Sequence, residues 1–261
     1  MHDLGLSLLF GLVVGFSLGL TGGGGSIFAV PLLMYGLGMP LKEAVGVSLA
    51  AVGTTSLLGA LGRLRTGELQ IAAGVVFALV GMAGTPLGVW LHGQLPEKLL
   101  LVLFAGLMLV IAIRMAWVSS GPRPAATVNL AGFPSWLRWL TLAASGFAVG
   151  VLSGMFGVGG GFLIVPALVL VGGMEMHRAT ATSLLVIALI SLGGVISHLK
   201  AGRPLSWEIT AAFVLGGAAG LALAIPLARR LSGAALRQIF AAVIVAVALF
   251  ILFRTLYDTG G

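Results

Sequence analysis

Apolar residues run along this chain in long unbroken stretches, separated by short polar punctuation. Lys42/Glu43, Arg63 to Glu68, Pro96 to Lys98 and Ser119 to Ser135 divide the first half into apolar segments near 4–39, 43–62, 69–91 and 97–118. The second half gives 136–173, 178–199, 206–228 and 233–254. A helix needs about 20 mostly apolar residues to cross a hydrocarbon core of about 30 Å, so each segment can span a bilayer. Strands of a membrane barrel would be shorter and would alternate. The pattern predicts an all-α, polytopic transmembrane bundle whose first partner is the lipid bilayer. The amino-terminal MHDLGLSLLF lacks the basic region of a signal peptide and is expected to stay on the mature chain.

The two halves are diverged copies of one another. Shifting the chain by 135 positions places TGGGGSIFAVP (Thr21 to Pro31) on FGVGGGFLIVP (Phe156 to Pro166), and residues 11–67 share 20 identities over 57 aligned positions. The matches include Gly11/Gly146, Gly15/Gly150, Gly19/Gly154, Gly38/Gly173, Ser48/Ser183, Ser56/Ser191 and Gly67/Gly202. Chance likeness of apolar stretches would match Leu and Ala, whereas here Gly, Pro and Ser recur at fixed offsets. Such duplication marks many secondary transporters. The chain divides into repeat 1 (1–118), a linker (119–135) and repeat 2 (136–261), each repeat with four apolar helical segments.

Each repeat opens with a segment too long for one span and interrupted by glycines. It can cross as a broken helix, giving four crossings per repeat and halves of like orientation. It can also dip in and return as a re-entrant hairpin, leaving three crossings and inverted halves. Basic residues favour the cytoplasmic side. The hairpin puts Arg63, Arg65, Arg114, Arg123, Arg138, Arg178, Arg229, Arg230 and Arg237 together, nine of the 14 Lys and Arg, against eight to six for four crossings. The count favours inverted repeats with both termini outside.

Composition narrows the function. At 59% hydrophobic and 8% charged, with mean hydropathy +1.16, the chain cannot cover itself with a water-soluble surface. Its net charge of +7 resides in residues between the apolar segments, as topology signals rather than a nucleic-acid footprint. Cysteine is absent, which excludes thiolate metal sites and thiol nucleophiles. All seven carboxylates (Asp3, Glu43, Glu68, Glu97, Glu175, Glu208, Asp258) fall at segment ends or in loops. An intramembrane hydrolase would need a carboxylate pair, a metal cluster or a Ser–His arrangement at depth. The expectation is no enzyme, no metal and no cofactor.

The glycine runs carry the candidate site. Glycine costs about 1 kcal/mol against alanine in a helix, so Gly22, Gly23, Gly24 and Gly25, and Gly157, Gly159, Gly160 and Gly161, are expected to unwind it. Unwound backbone at membrane depth is tolerated only where protein buries it or a wet cavity lines it. Pro31 and Pro166 suit the first turn of helices restarting near 27–30 and 162–165. Helix N-termini carry free N–H groups and about half a positive charge, a receptor for a small anionic substrate. Isolated glycines such as Gly81, Gly84, Gly88, Gly216 and Gly220 read instead as close-packing positions.

GGGGSIFAVPLL and GVGGGFLIVPAL, each opening one repeat in a chain of this length, resemble the TauE/SafE sulfite-exporter family of membrane transporters. The resemblance covers essentially the whole chain. It implies movement of small sulfur-containing anions, such as sulfite or organosulfonates, across a prokaryotic inner membrane. By motif it implicates Gly22 to Ser26 with Pro31, and Gly157 to Gly161 with Pro166; Ser26 gives the site an asymmetry.

Hydroxyl residues inside the apolar segments extend the candidate site: Ser48, Thr55 and Ser56 in repeat 1, and Thr182, Ser183 and Ser191 in repeat 2. Single Ser or Thr residues in membrane helices usually bond backbone carbonyls; as a repeated set they suit a substrate path. Arg63 and His198 occupy matching positions near the ends of the second segments, placed either to snorkel or to draw anions into vestibules. A passive small-anion channel would share these features. The five tryptophans lie near segment ends, as an interfacial belt requires.

Overall fold

In the computed structural model, residues 2–64, 66–118, 135–156, 161–202 and 204–257 are described. Stretches rich in Leu, Ala and Gly form helices α1 (His2–Thr21), α2 (Ser26–Pro31), a π-helical turn (Leu32–Gly36), α3 (Leu41–Leu64), α4 (Ile71–His92), α5 (Glu97–Val118), α6 (Ser135–Phe156), α7 (Gly161–Leu170), α8 (Met176–Lys200), α9 (Trp207–Arg230) and α10 (Gly233–Tyr257), with Pro86, Pro166 and Pro226 carried inside α4, α7 and α9. Seven of them (α1, α3, α4, α5, α6, α8 and α9) are long and apolar enough to cross a membrane. No strand occurs among the described residues.

The same local devices recur 135 residues apart. Gly38 (φ 66°) and Gly173 (φ 63°) take the left-handed conformation before α3 and α8, and Gly67 (φ 70°) and Gly202 (φ 64°) take it after them. The Met39 amide donates to the Leu33 carbonyl (3.2 Å), and Met174 to Leu168 (3.0 Å).

The opening segment folds as a hairpin. α1 runs about 30 Å; the chain then turns at Gly22, and α2 comes back along it. A Cβ on Gly25 would strike the Leu18 side chain, and one on Gly36 the Phe10 ring. α2 restarts at Ser26, one to four residues earlier than the glycine pattern predicts, and α7 is already helical at Gly161, the first described residue there. Pro31 consequently stands at the sixth helical position, and Pro166 likewise beyond the first turn. Pro31 offers no N–H to the ladder, and the helix continues beyond it as the wider π turn.

Neighbouring helices pair across the two halves. α1 lies parallel to α9, with Gly11 against Phe213, Gly15 against Gly217 and Gly19 against Ala224. α6 lies parallel to α4 in the same manner, with Gly146 on Phe77, Gly150 on Gly81 and Gly154 on Thr85. α3 and α8, which occupy matching places in the two halves, cross antiparallel: Gly46 meets His198, Gly53 meets Ser191 and Gly59 meets Leu184. Gly81, Gly84, Gly88, Gly216 and Gly220 sit in the α4–α6 and α1–α9 seams as close-packing residues. Buried Leu18, Leu33, Phe77, Ile164, Leu184 and Phe213 fill the core between them. Trp90, Trp117, Trp136, Trp139 and Trp207 are all exposed, near helix ends.

Candidate functional site

The tip of the first hairpin is held by Thr21, whose hydroxyl donates to the Ser17 carbonyl (2.7 Å) and accepts from the Gly24 amide (3.0 Å). This cap lets the backbone leave α1 at Gly22, which needs a positive φ of 76°. Ser26 Oγ donates to the Gly23 carbonyl at 2.8 Å, so in this conformation its single proton is turned back on the tip. Gly23 packs against the carbonyl of Gly161, and Gly161 against Ser26. The starts of α2 and α7 therefore face one another. Gly157, Gly159 and Gly160 lie outside the described residues, as does the linker 119–134.

Ser183, fully buried, donates to the Gly22 carbonyl (2.7 Å) and joins the tip to α8. Thr182 accepts from the Gln70 amide at 3.2 Å, bringing the α3–α4 connection onto α8. Ser56 is fully buried on α3, and its Oγ is the one buried side-chain polar atom without a partner among the described residues. Ser48 is buried on the same helix. Ser191 lies at the α3–α8 crossing against Gly53, and Thr55 faces Gly217 of α9, away from the tips. Pro31 is exposed and Pro166 buried; both stand beyond the place where the tips meet.

Arg63 and His198, which match in sequence, differ in role. Arg63 is buried, with Nη1 donating to Thr180 Oγ1 (2.8 Å) and Nη2 to the Gly19 carbonyl (2.8 Å). His198 is buried against Gly46, and its Nε2 lies 3.2 Å from the Pro204 carbonyl. Thr21, Gln70 and Thr180 are the polar partners that pattern reading passed over. Thr21 had a legible signal, a hydroxyl directly before a glycine run.

Two clefts open on the Arg63 side. One of about 240 Å³ is lined by Gln70, Arg138, Trp139 and Met174, and one of about 380 Å³ by Met174, Glu175, His177 and Arg237. The first carries Arg138 and no carboxylate and so favours anions; in the second, Arg237 is offset by Glu175. Among the described residues no cluster of three His, Cys, Asp or Glu could hold a metal.

The model of the family described as sulfite exporter TauE/SafE matches residues 7–251. A probable membrane transporter protein of Xylella fastidiosa (strain Temecula1) is 35% identical over 252 residues, covering 94% of this chain and 93% of that protein. The probable membrane transporter protein YdhB of Bacillus subtilis is 32% identical over 197 residues, covering 76% and 79%. A relative from the archaeon Methanocaldococcus jannaschii is 28% identical over 204 residues, covering 76% and 73%. Seven helices long and apolar enough to cross a membrane and this likeness along nearly the whole length agree: the chain belongs to the TauE/SafE family and is a multi-pass membrane transporter.

Proposed function

We propose that the protein carries small anions, of the class of sulfite and organosulfonates, across the inner membrane between two inverted repeats, 1–118 and 136–261. The observation that carries this reading is the meeting of the first hairpin's tip with the start of α7, where Gly23 packs on Gly161. Polar backbone at depth is costly in lipid, and helix starts offer it to an anion. Gly22 to Ser26 and Gly157 to Gly161 would form the receptor, with Ser48, Ser56, Ser183 and Ser191 along the path. Among the described residues no carboxylate enters this region, so the substrate would be held without a sodium ion on an acidic ligand.

Two features support inversion. The matching helices α3 and α8 run antiparallel. An inverted-hairpin topology would also gather nine of the 14 basic residues on one side, which the positive-inside rule would make cytoplasmic. Because the chain has no cysteine, single thiols report topology cleanly. Arg123→Cys should label only from the cytoplasm and Gln94→Cys only from outside; labelling of position 123 from outside in intact cells would refute the inversion.

The substrate class is tested by thermal shift of purified protein against sulfite, thiosulfate, sulfoacetate, lactate and chloride. A ligand at 100 times its Kd stabilises the native state by about 2.7 kcal/mol, a rise of several degrees in Tm. The shift should appear with a sulfur oxyanion or sulfonate, be equal with and without sodium, and be absent with neutral dimethyl sulfone. Concentrative uptake into proteoliposomes then separates a transporter from a passive channel.

A further inference from the structure

α8 presents three buried hydroxyls within one turn, Thr180, Thr182 and Ser183, and each is engaged by the other half of the chain. Arg63 Nη1 donates to Thr180 Oγ1 (2.8 Å), the Gln70 amide to Thr182 Oγ1 (3.2 Å), and Ser183 Oγ to the Gly22 carbonyl (2.7 Å). Arg63 also holds the Gly19 carbonyl, in the last turn of α1 (2.8 Å). One guanidinium thus ties α3, α8 and the base of the hairpin tip. Its two acceptors are neutral, although the residue is only 3% exposed. Glu68 attracts it and Arg229 repels it from a distance.

Burying a cation on neutral acceptors is expensive and is not a route to stability alone. The matching positions 135 residues away keep only one of these hydroxyls, Ser48 in place of Ser183. Val45, Val47 and Leu205 stand where Thr180, Thr182 and Gln70 would be, and His198 in place of Arg63 turns to Pro204 of its own half. On that opposite face Ser206 Oγ donates to Glu43, partly exposed at the rim.

We infer that Arg63, with Thr180, Thr182 and Ser183, is the latch of a gate that closes the Arg63 face over the tip of the first hairpin. The opposite face, with Val45 and Val47 where Thr180 and Thr182 stand here, has no equivalent latch. Opening on the Arg63 face requires the guanidinium to leave Thr180 and Gly19. The idea rests on the transport reading above and adds which face is held shut and by which bonds.

Thr180→Val keeps the side-chain volume and removes the acceptor, and Arg63→Lys keeps the charge but loses the two-pronged fork. Both are to be read in the full-length protein in vesicles, by amide hydrogen exchange of residues 19–26 and by thiol labelling of Ser56→Cys. Ser56 lies two turns inward of Arg63, and its hydroxyl has no bond to lose. Each variant is expected to raise both rates about tenfold, as loss of a hydrogen bond to a charged group implies, with the reagent entering from the Arg63 face. Val45→Thr at the matching position should change neither rate.

Unchanged exchange at residues 19–26 in Thr180→Val overturns the latch, and so does equal labelling from both faces. Exchange that rises along every helix signals general unfolding and counts equally against a local latch. The test uses no anion, so an error in the substrate class would show in the thermal-shift panel and leave this result readable.

Discussion

Gly150→Ala and Gly15→Ala are expected to lower the stability of the bundle by about 3 kcal/mol each, the upper range for overpacking a fitted interface. The reason is geometric. A Cβ on Gly150 would run into the Gly81 carbonyl of α4, and one on Gly15 into the Gly217 carbonyl of α9. Backbone cannot step aside as the end of a flexible side chain can, so whole helices must separate. In lipid the loss is felt directly, because association there depends on van der Waals packing rather than on exclusion of water. Gly106→Ala, in α5, is the matched control: no atom lies within 4 Å of its added Cβ. It should be neutral or gain up to about 1 kcal/mol from helix propensity. Thermal unfolding of the three purified variants in one detergent measures the contrast. Equal melting of Gly150→Ala and Gly106→Ala would show that the α4–α6 seam is not as tight as described.

The seams and the duplication were legible because they are written in glycine. A helix former would serve at Gly11, Gly15, Gly146 and Gly150 unless another backbone needed the space, so their recurrence at a fixed offset already implied close approach. The helical spans were equally readable from apolar length. The hairpin was not fixed by local pattern, since a glycine break permits both a continued crossing and a return; the contact of Gly36 with Phe10 is what decides it. The glycine run unwinds less than its composition suggests: Ser26 and Gly161 are already helical, so Pro31 and Pro166 lie beyond the first turn in which the pattern predicts them.

Arg63 shows why the rest was hidden. A basic residue near a helix end reads as one that snorkels to the interface, and its neighbours in sequence offer no other use for it. Its partners come from Gly19 and Thr180, 44 and 117 residues away, and only the packing of α1 and α8 against α3 brings them within reach. Matching sequence position likewise misled for His198, which shares Arg63's place in the duplication and bonds within its own half. Duplication preserves backbone geometry, as the recurring positive-φ glycines show. It does not preserve side-chain partners, and this is how two matching halves come to have unlike faces.

Transport should be most sensitive at Gly23, and adjacent glycines in the same run should respond very differently. Gly22 has a positive φ and tolerates no side chain without strain, so a loss there would say little about the site. Gly23 and Gly24 are not among the positive-φ glycines, and alanine is compatible with their backbone. They differ in what a Cβ would meet. On Gly23 it would strike the Gly161 carbonyl and push the two tips apart, whereas on Gly24 it would meet Thr21 Oγ1 at 2.9 Å and Val243 Cγ1 at 3.7 Å, both side-chain atoms. If the substrate is bound between the tips, a displacement of about 1 Å there is enough to cost about a hundredfold in rate. Gly23→Ala is therefore expected to lose about a hundredfold in uptake, and Gly24→Ala to lose no more than about threefold. Initial rates of sulfite uptake into proteoliposomes, normalised to the folded protein in each preparation, give the comparison. Near-normal uptake by Gly23→Ala would move the substrate site away from the junction of the two hairpins.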